Sequence, residues 1–210
     1  MGKQEKFASA KVPAWGGDAP GDSAQARQRL SEAAFRVLAD RGVARTFMAE
    51  VARAAGVSRP TLYNYYPTKE SLVFGALGLE VEPWLRRLHR RMKRFESPQE
   101  RLVEGTVFAI RGLPKTQVLR FIAEPDYIGL LATGDPGLKR TLAFTLQSLQ
   151  PVLELAPQLR EQEWQMAEVC YRTIVSHVQI PLGQERETAR VRTLLHQTLV
   201  PAVGLPVLRR

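Results

Sequence analysis

The chain has 210 residues, 44% of them hydrophobic and 24% charged, ordinary proportions for a soluble protein and enough to bury a core in one large or two small domains. Its one cysteine, Cys170, excludes an internal disulfide framework and fits a reducing cytoplasm. No apolar run reaches the roughly 20 residues needed to cross a bilayer, and residues 1–17 lack the continuous apolar stretch of a secretory signal, so no membrane partner is expected. The net charge of +9 is unevenly spread: residues 24–96 carry 14 Lys/Arg against 7 Asp/Glu, residues 97–210 carry 13 against 11, so the excess sits where it would meet a polyanion.

Residues 1–22 mix Pro, Gly, Asp, Lys and small residues without periodicity, which predicts a disordered tail. From about Ala24 the pattern turns helical, with Leu30, Ala33, Ala34, Val37 and Leu38 on one face and Gly42 as the stop. A short helix follows from about Phe47 to Ala55, ended by Gly56. Ser58 can cap the next helix, and Pro60 falls in its first turn, where a missing N–H does no harm. Pro67 pushes Tyr66 out of helical geometry, and Thr68 opens a long helix reaching about Phe95. Beyond Pro98 helices are expected near 98–112, 115–124, 136–155, 160–180 and 187–200, separated by prolines and glycines. No alternating strand pattern or hairpin turn interrupts the series, so the fold class is all-α.

Two short helices at a steep angle, joined by a glycine turn, make a helix-turn-helix whose second helix fits the major groove of DNA. The stretch VARAAGVSRPTLYNYY supplies it: Ala52 is small enough for close approach, Gly56 takes the turn, and Val57 and Leu62 face inward. The outer face of the second helix offers Arg59, Thr61, Tyr63, Asn64 and Tyr65, with no acid to repel phosphate.

At these residues the chain resembles the TetR family of transcriptional regulators. The resemblance covers about residues 28–75: LSEAAFRVLADRG, then Val51-Ala52, Ala55-Gly56-Val57-Ser58, Thr61-Leu62-Tyr63, Tyr66 and Lys69-Glu70-Ser71-Leu72. It implies an N-terminal DNA-binding domain over residues 23–70 and a larger ligand-binding and dimerisation domain over 71–210. It also implies a double-stranded DNA operator as partner, a homodimer, a small-molecule effector, no cofactor and no catalytic residue. Thr46, Ser58, Arg59, Pro60, Thr61, Tyr63, Asn64, Tyr65 and Lys69 become the DNA-binding set, with Arg59 and Thr61 toward base edges and Tyr63, Tyr65 and Lys69 toward phosphates. Phe47 stands where a second hydroxyl is frequent, Tyr65 where histidine is common and Pro67 where the family is usually flexible.

Tyr66 reads as a core aromatic. The cluster Arg86, Arg87, Arg90, Arg91, Lys93 and Arg94 lies roughly 25 Å along its helix from Lys69, which makes it a solvated or partner-facing surface. His89, His177 and His196 lack metal-ligand spacing, no hydrolase, protease or nucleotide-binding signature is present, and nothing positive favours an enzyme. In the C-terminal half, Trp84, Phe108, Arg111, Phe121, Tyr127 and Phe144 are the candidates to line a ligand pocket, although aromatics at helical spacing can equally fill a core. Arg111 and Arg120 are the basic residues nearest these segments, which suggests a mainly apolar ligand with one polar or anionic end. The apolar positions of the last two helices, Tyr171, Ile174, Val178, Val191, Leu195 and Leu199, are the candidates for the dimer interface that the resemblance implies. A DNA-binding dimer without a small-molecule ligand is the alternative, and an all-helical enzyme with a fortuitous motif is a third.

Overall fold

A computed structural model describes residue 15 and residues 20–43, 48–127, 135–180 and 186–207, and every regular element among them is helical. The predicted tail, apart from Trp15 and residues 20–22, lies outside the described residues.

Helix α1 (Ser23–Arg41) starts where the Asp22 carboxylate accepts the Gln25 N–H at 2.7 Å, which satisfies one of the free amides of a first turn. It stops at Gly42, whose φ of 75° suits a residue without Cβ. Helices α2 (Met48–Ala54), α3 (Arg59–Tyr65) and α4 (Lys69–Met92) complete the head. Leu30, Leu38, Val51 and Leu62 are all 0% exposed at its centre, so α1, α2 and α3 share one apolar seam that forces their mutual angles. Each such side chain contributes about 1.5–3 kcal/mol of burial.

The remaining helices are α5 (Pro98–Gly112), α6 (Asp135–Ser148), the single turn α7 (Gln150–Leu153), α8 (Glu163–Gln179) and α9 (Arg186–Ala202). α4 packs on α1 at one end and on α5 and α6 along the rest; α5 is also covered by α8 and α9. Two predicted helices differ from expectation. The segment 115–124 forms tight three-residue turns at Leu113–Lys115 and Leu119–Ala123, because the Glu80 carboxylate of α4 takes the N–H groups of Gln117, Val118 and Leu119 at 2.9, 2.8 and 3.0 Å. Those are the donors an α-helical ladder would need. The expected helix 136–155 breaks at Leu149. Pro151 has no N–H to give the Gln147 carbonyl, and His89 Nε2 meets that carbonyl instead at 3.0 Å.

Glu104 of α5 is the main buried charge, with only a tenth of its side chain exposed. Arg91 of α4 donates to it at 2.6 Å and Arg192 of α9 completes a three-helix clamp. Burial alone would raise its pKa, but the hydrogen bonds and charges of Arg192 and Arg91 outweigh burial and hold the carboxyl below its ordinary range. The stabilisation is therefore complete above the ordinary carboxylate pKa and is lost as pH falls through the lowered folded value. Both guanidinium groups are more than a third exposed, so Glu104→Ala is expected to cost about 1–2 kcal/mol near pH 7, between the exposed and fully buried limits. Urea unfolding at pH 7 and at about pH 4 checks this: wild type should lose more stability on acidification than the variant.

Candidate functional site

α3 is a rigid seven-residue helix because both ends are tied. At its start Ser58 accepts the Thr61 N–H at 3.2 Å and its hydroxyl pairs with the Thr61 hydroxyl at 2.7 Å. Gly56, at φ 67°, turns the chain from α2 toward α3, and Val57 N–H returns to the Ala52 carbonyl at 2.9 Å. At its end the Tyr66 N–H returns to Leu62 O at 2.9 Å, and Arg27 of α1 donates to the Tyr65 carbonyl at 2.8 Å. Arg27 also stacks over the rings of Tyr65 and Tyr66, at 5.9 and 5.5 Å to their centroids. It is a positioning residue that no local pattern announces, because its partners are 38 and 39 residues away.

Tyr66 is buried, as expected of a core aromatic, and its hydroxyl pairs with Ser31 at 2.7 Å. Gly75 of α4 makes the seat possible: a Cβ there would sit 2.8 Å from the Tyr66 hydroxyl and 2.9 Å from Ser31 Oγ. α4 itself opens with a reciprocal cap, Thr68 accepting from Ser71 N–H at 3.1 Å and Ser71 accepting from Thr68 N–H at 3.3 Å.

With its inner face fixed, α3 turns Arg59, Pro60, Tyr63 and Asn64 to solvent, Tyr63 being 47% exposed. Thr61 and Ser58 are half-buried, their hydroxyls engaged with each other. Tyr65 is half-buried with the Trp15 ring edge-on at 6.0 Å, and half-buried Lys69 is the first residue of α4. Ser58, Arg59, Pro60, Thr61, Tyr63, Asn64, Tyr65 and Lys69 are thus all exposed or half-buried, and no acidic residue interrupts the stretch from Ser58 to Lys69, Glu70 of α4 being the next one along the chain. Thr46 and the departure at Phe47 lie outside the described residues.

Residues 30–76 match the family described as bacterial regulatory proteins, tetR family. The N-terminal region of the chain is therefore of the tetR family. An HTH-type transcriptional regulator of Mycobacterium tuberculosis is 40% identical over 65 residues, which span 31% of this chain and 34% of that protein. The chain thus covers about a third of the length of that relative. A second M. tuberculosis HTH-type regulator is 27% identical over 181 residues, 85% of each chain. The crystal structure of the TetR-family repressor AlkX from a Dietzia strain, implicated in biodegradation of n-alkanes, superposes with a TM-score of 0.57 at 21% identity, covering 88% of this chain and all of AlkX. The whole fold, and not only the head, is therefore of the TetR kind.

Behind this TetR-type head a narrow cavity of about 40 Å³ lies between α4, α5, α6 and α8. Of the predicted pocket residues, Trp84 and Phe144 line it, with their ring centroids 5.6 Å apart. Phe108 packs behind Trp84 at 5.9 Å. The others go elsewhere. Arg111 is exposed and donates to Thr188; Tyr127 is buried with its hydroxyl 2.9 Å from Thr141 Oγ1 and its ring against Phe74. Phe121 lies under the Arg120 guanidinium and beside Gly42, where the turn after α5 meets the end of α1; Arg120 donates there to Ala39 O at 3.3 Å. Among the described residues no cluster of His, Cys, Asp and Glu is placed to hold a metal ion, and no helix is long and apolar enough to cross a membrane.

The predicted dimer residues also divide. Leu195 and Leu199 are 0% and 2% exposed, buried within the subunit where α9 packs on α5. Tyr171 and Ile174 face the cavity, the Tyr171 hydroxyl donating to Ile122 O at 3.1 Å. Val178 and Val191 are half-buried. The apolar groups these helices turn outward are others: Trp164 at 48% and Leu194 at 39% exposure.

Proposed function

We propose that this chain is a cytoplasmic, DNA-binding transcriptional regulator working as a homodimer, a repressor released from its operator by a small apolar ligand. The observation that carries the DNA-binding part is the acid-free outer face of α3, held by a cap, a glycine turn and Arg27. Arg59 reads a guanine edge through O6 and N7, Thr61 and Asn64 adjoin it, and Tyr63, Tyr65 and Lys69 take phosphates. Ser58 and Pro60 set the start of the helix and brush the backbone. Residues 23–70 act as the reading head and residues 71–210 as the sensing and dimerising body. No catalysis enters this reading.

Two heads about 34–36 Å apart meet successive major grooves, so the dimer is part of the reading mechanism. Trp164 and Leu194 support an interface built on the outer faces of α8 and α9, since solvent-exposed rings and leucines of this size favour burial against a second copy. α4 links the two functions: Lys69 lies at the head and Trp84 at the cavity, about 22 Å apart along one helix. Glu80, between them, grips the turn whose Arg120 and Phe121 touch the end of α1. A ligand that favours one tilt of α4 thereby shifts the spacing of the heads, provided it binds that state more tightly.

Titration of a labelled duplex tests the DNA-binding part. Affinity should fall by about 10³-fold or more between about 50 and 200 mM salt if six or more phosphates are neutralised by the dimer. A salt-independent affinity would remove the proposal.

A further inference from the structure

Whatever occupies the cavity has to match the polar groups left unspent around it. Four hydroxyl groups line it, and each hydrogen is already donated to a backbone carbonyl: Thr106 to Leu102 at 2.8 Å, Thr145 to Thr141 at 3.1 Å, Ser148 to Phe144 at 3.1 Å and Tyr171 to Ile122 at 3.1 Å. These oxygens keep a lone pair, a mild deficit for a group already bonded. The exception is a donor. Trp84 is 3% exposed and its indole N–H has no partner among the described residues. A buried unmade N–H costs about 1–3 kcal/mol, so this atom is the strongest unmet demand at the cavity. It lies 3.9 Å from where a Cβ on Gly112 would stand, and Gly112 directly precedes Leu113, which lines the cavity with Trp84 itself.

Among the described residues no charged side chain lines the cavity. Its two ionisable groups are neutral at physiological pH, burial pushing both the Cys170 thiol and the Tyr171 phenol up to about 12. Arg111 and Arg120, which the sequence offers as partners for an anionic end, are engaged with Thr188 and with Ala39 O outside the cavity. A carboxylate placed here would be buried without a counter-charge, at large cost. The free space, about 40 Å³, is below the roughly 150 Å³ that admits benzene in an engineered apolar cavity, so a ligand enters only as lining groups yield. Met92 is placed to yield: its flexible thioether lies across Gly105, where a Cβ would be 2.9 Å from its sulfur, and both residues line the cavity.

We infer that the effector is a neutral, mainly apolar molecule of about the size of a substituted benzene carrying one hydrogen-bond acceptor, which the Trp84 indole N–H receives. This rests on the ligand-responsive reading proposed above. Three near-isosteric probes separate the chemistry: acetophenone has the ring and a neutral acceptor, α-methylstyrene replaces its C=O by C=CH₂, and benzoate carries a charge. Calorimetry on the full chain should find acetophenone bound about tenfold or more tighter than either of the others. Nitrogen–proton NMR should show the Trp84 indole signal, one of three from Trp15, Trp84 and Trp164, moving with acetophenone and much less with α-methylstyrene. In Trp84→Phe the gap between these two probes should close; if that variant does not fold, the wild-type indole signal decides. Equal binding of acetophenone and α-methylstyrene, or tightest binding of benzoate, would overturn the inference and leave a ligand-responsive regulator standing. Failure of all three probes to bind at millimolar concentration would remove the ligand reading of this cavity and the inference with it.

Discussion

Leu195→Glu is expected to leave no folded protein at all, while Leu194→Glu, one residue earlier, is expected to give a folded monomer. The two leucines point about 100° apart on α9. Leu195 is 0% exposed in the seam between α9 and α5, so glutamate there buries a carboxylate with no prepared counter-charge, a cost of several kcal/mol. That is a large part of the roughly 5–15 kcal/mol by which a native chain exceeds its unfolded state. Leu194 is 39% exposed within the subunit, so its glutamate is solvated in a monomer and becomes costly only when a second copy covers it. Circular dichroism should show no cooperative melt for the first variant and a near wild-type melt for the second. Light scattering should give twice the chain mass for wild type and once for Leu194→Glu, whose operator affinity falls with its dimerisation. A Leu194→Glu protein that remains dimeric would move the interface away from this face of α9.

Arg59→Ala and Lys69→Ala are expected to weaken operator binding in different ways. Arg59 is exposed on the outer face of α3, where a bidentate pair with guanine is worth about 1–3 kcal/mol against the wrong base. Its loss should reduce affinity for the selected operator by about 5- to 150-fold and leave random-sequence binding less affected. Lys69 stands in the first turn of α4, where backbone N–H groups and its ammonium would act together on a phosphate in the proposed reading. Its loss should weaken all sequences alike and flatten the salt slope by about 1 per contact removed. Neither side chain carries the core, so both variants should keep the wild-type melting temperature within a few degrees. Anisotropy titrations at several salt concentrations distinguish the two patterns. Unchanged affinity and slope in both would mean that another surface faces DNA.

The head was largely legible because its signals are local. Ser58, Pro60, Thr68, Gly42 and Gly56 act within a few residues of themselves, and each does in the structure what its chemistry suggests. The body was less legible because its decisive contacts are remote. Glu80 takes amides 37 to 39 residues away and so unmakes the helix expected at 115–124. Pro151 could have signalled the break in 136–155, but the partner that makes the break tolerable, His89, is 58 residues from the freed carbonyl. On α9 the adjacent leucines 194 and 195 both satisfy an apolar stripe, and only the packing on α5 decides which one faces inward. Phe121 and Tyr127 were reasonable pocket aromatics by spacing; the turn that carries Phe121 instead delivers it to the end of α1.

Parallel selection of duplexes from a random library by purified wild type and by Arg59→Ala addresses the role of α3 most directly. The expected outcome is a two-fold symmetric wild-type consensus with half-sites about one helical turn, or a multiple of it, apart, and an Arg59→Ala consensus that loses preference at one base pair in each half-site. No enriched sequence for wild type, or an identical consensus for both proteins, would contradict α3 as the reading helix.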